Sequence, residues 1–154
     1  MQLIIFIGVQ ASGKSTFYKE YFYKTHLRIN LDMLKTRHRE NILFEAGLVS
    51  KTKMVIDNTN MTRADRARYM QHAKDAEFEV ICYYFATDLD DALQRNRQRE
   101  GKERIPDQGV LATAKRFESP LLQEGFDEIY QVKIIGQGQF SIQLLDIKEQ
   151  QHEI

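Results

Sequence analysis

Near the start of the chain, Leu3-Ile4-Ile5-Phe6-Ile7 sets five apolar side chains in unbroken succession and stops against Gly8. A strand with one wet face alternates apolar and polar residues, whereas an unbroken run has no face to give to water. Such a strand needs cover on both sides. In a chain of 154 residues that places it inside a parallel sheet between two layers of helix. The run is far too short to cross a bilayer. It has no basic lead-in and no cleavage site, so no signal peptide is expected and a cytoplasmic protein without a membrane span is.

The rest of the chain repeats the theme. Short β-branched or aromatic runs predict strands over 27–30, 53–57, 78–85 and 128–134. Helical composition lies between them, over 14–24, 32–49, 62–76, 88–100 and 107–117. Thr62 and Asp65 have the spacing of a capping box. Gly136-Gln137-Gly138 reads as a turn into a last alternating strand over 140–145, and 146–154 as a polar tail beyond a single domain of 1–145. Hydrophobic residues at 42% exclude disorder as the main description. Cys82 is the sole cysteine, which excludes a disulfide framework and a cysteine-based zinc site. Lys plus Arg and Asp plus Glu stand at 22 each, so any grip on a polyanion has to come from a local cluster.

The strand-to-helix junction carries the strongest motif. Gly8-Val9-Gln10-Ala11-Ser12-Gly13-Lys14-Ser15 fits G-x-x-x-x-G-K-[ST], placed between a predicted strand and a predicted helix. In that setting the backbone N–H groups of Gly8, Gln10, Ala11, Ser12 and Gly13 wrap a phosphate, and the helix N-terminus adds partial positive charge. Lys14 reaches the outer phosphates and the Ser15 hydroxyl ligates Mg²⁺, with Ser12 and Thr16 as secondary contacts. The expected fold is therefore a P-loop NTPase-type three-layer α/β/α sandwich on a mainly parallel sheet of about five strands. Ala11 stands where glycine is frequent, which is tolerable if its φ is negative.

Ligands of such sheets sit beyond the carboxyl ends of the strands. Asp57 closes the third strand, where a carboxylate holds Mg²⁺, or simply ends a turn-prone stretch. Asp32 follows the second strand, placed to take a hydroxyl proton, and it also suits a helix N-cap. Arg95 and Arg99 share a helix face and are positioned to close over ATP, although basic residues at a helix C-terminus are favourable in any case. Arg63, Arg66 and Arg68 form a second cluster, for substrate phosphates or as solvated charge balanced by Asp65. The four histidines show no metal spacing, and Phe6, Phe17, Phe85, Tyr69 and Cys82 are assigned to the core.

Taken in order, these stretches resemble the kinase domain of polynucleotide 5′-hydroxyl kinases. The resemblance rests on the loop from Gly8 to Thr16, Asn30-Leu31-Asp32, Val55-Ile56-Asp57-Asn58-Thr59-Asn60, Arg66-Ala67-Arg68-Tyr69, Arg95-Asn96-Arg97-Gln98-Arg99-Glu100, Ile105-Pro106 and Phe117-Glu118-Ser119-Pro120. It implies Lys14 and Ser15 on ATP and Mg²⁺, Asp32 as the base for a 5′-hydroxyl, Asn58 near the acceptor, and Arg99 as a lid arginine on the donor phosphates. Leu31 departs from the arginine usual before the aspartate. Lys35 stands where some members grip the acceptor phosphate with arginine, and no D-x-D-x-T phosphatase motif occurs. The acceptor is thus a DNA or RNA 5′-hydroxyl end, or a smaller hydroxyl compound or nucleoside. A non-catalytic ATP- or GTP-binding module is the rival from another class. Oligomeric state is left open.

Overall fold

A computed structural model of the chain describes residues 1–136 and 138–145. One sheet of six strands runs through it: β1 (Gln2–Ile7), β2 (Leu27–Ile29), β3 (Met54–Ile56), β4 (Glu79–Phe85), β5 (Glu128–Ile134) and β6 (Phe140–Leu144). Their order across the sheet is β2-β3-β1-β4-β5-β6. The first five are parallel, and β6 joins the edge antiparallel to β5. The unbroken apolar run thus lies on β1, between β3 and β4. Gln137 in the expected turn and the expected tail at 146–154 lie outside the described residues.

The two faces of β1 feed two different cores. Leu3, Ile5 and Ile7 pack with Phe44 and Leu48 of α3 (Arg37–Val49), Tyr69, Met70 and Ala73 of α4 (Arg63–Asp75), Ala92 and Leu93 of α5 (Leu89–Arg97) and Val110 of α6 (Asp107–Lys115). Ile4 and Phe6 face Phe17 and Tyr18 of α1 (Lys14–Tyr21), with Phe22 and Phe85. There the rings of Phe6, Phe17 and Phe85 meet edge to face, 5.1 to 5.8 Å apart. Each buried side chain of this size contributes roughly 1.5–3 kcal/mol of burial free energy. The result is three layers, with helices on both sides of the sheet.

Two local departures bear on the site. The helix expected over 32–49 is broken into α2 (Leu31–Leu34) and α3. Lys35 takes φ 75, and the Thr36 side chain accepts the Arg39 N–H at 3.2 Å, so a second N-cap restarts the helix. Asp32 is not the N-cap of α2. That role falls to Asn30, whose Oδ1 accepts the Met33 N–H at 3.0 Å and whose Nδ2 donates to the Asp57 carbonyl at 2.6 Å. The capping box of α4 is formed as expected, Thr62 Oγ1 accepting from Asp65 N and Asp65 Oδ2 from Thr62 N. Among the described residues no helix is long and apolar enough to cross a membrane.

Candidate active site

The loop after β1 owes its shape to two left-handed residues, Ala11 at φ 61 and Gly13 at φ 98. Ala11 therefore adopts a positive φ, against the negative value expected of a residue with a side chain. For an L-residue this costs about 1–2 kcal/mol, and Ala11 is 5% exposed in a packed setting that fixes it there. At Gly13 a Cβ would meet Ile134 Cδ1 at 3.1 Å and a Phe140 ring carbon at 3.2 Å, so β5 and β6 form the back wall of the loop. Among the described residues no side-chain cap closes the N-terminus of α1, so its first N–H groups can face an anion. Ser12 is 1% exposed, and its Oγ has no hydrogen-bond partner among the described residues.

Lys14 folds back over the loop, its Nζ donating to the Gly8 and Val9 carbonyls at 2.9 and 2.8 Å. Burial of this ammonium lowers its pKa to about 8. Asp57 and Asp32 pull it upward, and Arg99 and Arg28 push it down. Gln10 ties the loop to α6, its Nε2 donating to Thr113 Oγ1 at 3.1 Å. Because the Thr113 hydroxyl proton goes to the Gly109 carbonyl, the amide orientation of Gln10 is fixed.

The loop opens on a cleft of about 320 Å³ that also contains Asp32, Asp57, Asn58, Arg37, Arg99 and Arg116. Asp57 is 2% exposed at the end of β3. Its Oδ2 accepts from Arg28 Nε at 2.8 Å, and Arg28 Nη2 reaches Ser15 Oγ at 3.0 Å. Asp32 stands exposed on α2 across the cleft. Arg99 lies past the end of α5, held by a long contact of Nη1 to the Glu103 carbonyl at 3.5 Å.

The far wall is a side-chain network around Glu40, which is fully buried. Glu40 accepts from Arg37 Nη1 at 2.8 Å, Asn58 Nδ2 at 2.9 Å and the Tyr69 hydroxyl at 3.0 Å. Asn58 Oδ1 takes the Leu31 N–H at 2.8 Å, so Asn58 fixes the start of α2, and with it Asp32, against β3. Arg116, at the C-terminal end of α6, lines the cleft, and its side chain has no hydrogen bond or ion pair with any described residue.

Several expected residues lie elsewhere. Arg66 is a correction: it is fully buried, and all five of its N–H groups are spent. Nε and Nη2 bind Glu124, Nη1 binds the Asn60 and Met61 carbonyls, and Nη2 also binds the Glu118 carbonyl. It has no donor left for a substrate and serves as a brace for the turn after β3. Arg63 pairs with Glu118 and the Ser119 carbonyl outside the cleft. Lys35, Thr16 and Arg95 are not part of the cleft wall, although Arg95 touches the loop through the Ala11 carbonyl at 3.4 Å. Sequence reasoning missed Arg28, Arg37, Glu40 and Arg116. Only Arg28 left a signal, as a charged residue between Leu27 and Ile29 in a strand expected to be buried.

Comparison with known proteins agrees with this architecture. A family profile described as an AAA domain matches residues 35–120, more than half of the chain. The chain is 26% identical over 135 residues to a bifunctional polynucleotide phosphatase/kinase of Schizosaccharomyces pombe, covering 85% of this chain and 33% of the relative. It is 25% identical over 144 residues to an L-seryl-tRNA(Sec) kinase of Methanococcus maripaludis, covering 81% of this chain and 56% of that protein. The chain thus spans between a third and just over half of these relatives. Among solved structures, Kti12 of Chaetomium thermophilum in complex with ADP-AlF3 superposes with a TM-score of 0.67 at 17% identity, covering 85% of this chain and 88% of that one. With a strand-loop-helix phosphate cradle on a mainly parallel sheet, the chain belongs to the AAA-domain family and has the P-loop kinase fold.

Proposed function

We propose that the chain transfers the γ-phosphate of ATP to a hydroxyl, the 5′-hydroxyl end of a DNA or RNA strand. The observation that carries this reading is the meeting, in one cleft, of Lys14 and Ser15 with Asp57, Asp32 and Arg99. Both relatives' names join a kinase to nucleic acid, which supports a strand-borne acceptor over a free metabolite.

In this reading the loop amides and Lys14 cradle the β- and γ-phosphates. Ser15 and Asp57 offer two hard oxygen donors, a set that suits Mg²⁺, which usually keeps few protein ligands beside phosphate oxygens. Mg²⁺ bound there supplies charge neutralisation on the phosphates. Asp32 accepts the proton of the incoming hydroxyl and aims its oxygen at the γ-phosphorus, a bond forms there, and the bond to the β–γ bridging oxygen breaks. Arg99 and Lys14 balance the charge that gathers on the departing ADP.

The test is transfer of labelled γ-phosphate to a 5′-hydroxyl oligonucleotide. Wild type labels the strand. Asp32→Ala loses about 10²–10⁴-fold in turnover, and its affinity for ATP stays near that of wild type. Near-normal turnover in Asp32→Ala, or no label on any strand end with wild type, ends this reading.

A further inference from the structure

One guanidinium spans the two oxygens assigned above to a divalent ion. Arg28 Nε lies 2.8 Å from Asp57 Oδ2, and Nη2 lies 3.0 Å from Ser15 Oγ. These are different nitrogens of one rigid plane, so the bridge has a defined geometry. The arginine is the ion-pair partner of a carboxylate whose side chain is 2% exposed, and such a group needs a compensating cation. Arg28 itself is 26% exposed at its side chain, so it has a path outward. The Tyr18 ring flanks it at 5.7 Å, and the Tyr18 hydroxyl is anchored on the His26 carbonyl at 2.6 Å. The guanidinium thus sits between an aromatic face and the loop.

A second cation placed between Ser15 and Asp57 would feel this charge at a few ångströms, where like-charge repulsion is strong. An incoming phosphate reverses the balance. It adds negative charge between the two cations, and it offers the guanidinium a charge-assisted partner in place of the neutral Ser15 hydroxyl.

We propose that Arg28 is the resident cation of this site: it holds Ser15 and Asp57 in register, bars a divalent ion from the free protein, and yields the place when nucleotide phosphates arrive. Metal and nucleotide are thereby coupled, each favouring the other through displacement of one side chain. The inference rests on the nucleotide reading of the loop given above. It assigns Arg28 a positioning role, with no contact to the transferred group.

The experiment is a titration of Mn²⁺ into the full chain, followed by the electron paramagnetic resonance signal of free Mn²⁺, without and then with ADP. Arg28→Gln is expected to bind Mn²⁺ about tenfold tighter than wild type in the absence of nucleotide. ADP then raises the Mn²⁺ affinity of wild type by a larger factor than that of the variant. Loss of a merely structural arginine would loosen the site and weaken Mn²⁺ binding, so the two roles give opposite signs. If Arg28→Gln does not fold, as judged by its melting curve, Arg28→Met decides, since methionine keeps an aliphatic stem against Tyr18 without the charge, and a gain of several-fold in Mn²⁺ affinity is expected. Mn²⁺ affinity equal to or below that of wild type in the deciding variant overturns the proposal. Calorimetry with ADP separates the two readings. No ADP binding by wild type at any metal concentration sinks the nucleotide reading, while the Mn²⁺ comparison on free protein still judges Arg28.

Discussion

The two ends of the cleft are built in different ways. At the loop end, backbone does the positioning: left-handed turns at Ala11 and Gly13, free amides at the start of α1, and Lys14 folded onto carbonyls of its own loop. At the far end, side chains position side chains: Glu40 gathers Arg37, Asn58 and Tyr69, and Asn58 in turn holds the start of α2 that carries Asp32. A backbone cradle is local and depends on a short motif. A network of long-range side-chain bonds depends on residues far apart in sequence, and each member is exposed to the loss of any other.

The largest expected effect separates the ends. Glu40→Ala strands Arg37, Tyr69 and Asn58 without their shared acceptor and should lower stability by about 3 kcal/mol. A thermal or denaturant melt reads the loss. The network makes no direct hydrogen bond to the loop among the described residues, so calorimetry should find ATP affinity unchanged within about threefold in the folded fraction. If ATP affinity falls along with stability, the two ends are one unit and the contrast fails.

A smaller effect concerns Lys14. Its ammonium is held near pKa 8 when the loop is empty, and bound phosphate should restore the usual high value. Below pH 8 the free protein already carries the proton. Above it, binding must take a proton up, and affinity should fall about tenfold per pH unit, some 1.4 kcal/mol. Titrations with ATP at pH 8.5 in two buffers of different ionisation enthalpy should report uptake approaching one proton, and little at pH 7. The same group affects folding with the opposite sense. A depressed lysine pKa means that the unfolded chain holds more protons between about 8 and 10.5, so this residue's contribution to stability grows as pH rises through that window. Equal heats in both buffers at pH 8.5 would show that Lys14 is not the group the phosphates meet.

The smallest effect lies wholly within the backbone end. Ala11→Gly removes the left-handed strain at φ 61 and adds freedom to the unfolded chain, for a net gain of under about 1 kcal/mol. A rise of a few degrees in melting temperature, or no change, fits. A clear fall would mean that the Ala11 methyl packs more favourably than its strain costs.

The same contrast explains what the sequence could convey. Unbroken apolar runs and the capping box are periodic or adjacent signals, and β1, β4, β5 and the start of α4 lie within a residue of the expected positions. The break between α2 and α3 is not legible in the sequence because Thr36 and Lys35 look acceptable inside a helix, and only the competing cap ends it. Asp32 suits a cap by residue type, but Asn30, two residues earlier, has both an acceptor for the Met33 N–H and a donor for the Asp57 carbonyl and so takes the role. Arg66 reads as a surface charge beside Asp65, but its partner Glu124 lies far along the chain, and no local pattern announces such a pair. Glu40 is the extreme case, a carboxylate in a polar-looking helix that ends fully buried.

The wall behind Gly13 has a consequence for assembly. The phosphate loop spans residues 8–15, but Ile134 and Phe140, which wall Gly13, lie more than a hundred residues further along the chain. During synthesis the loop is therefore made before the strands β5 and β6 that back it. A cradle that a short motif spells out locally takes its rigidity from side chains translated much later.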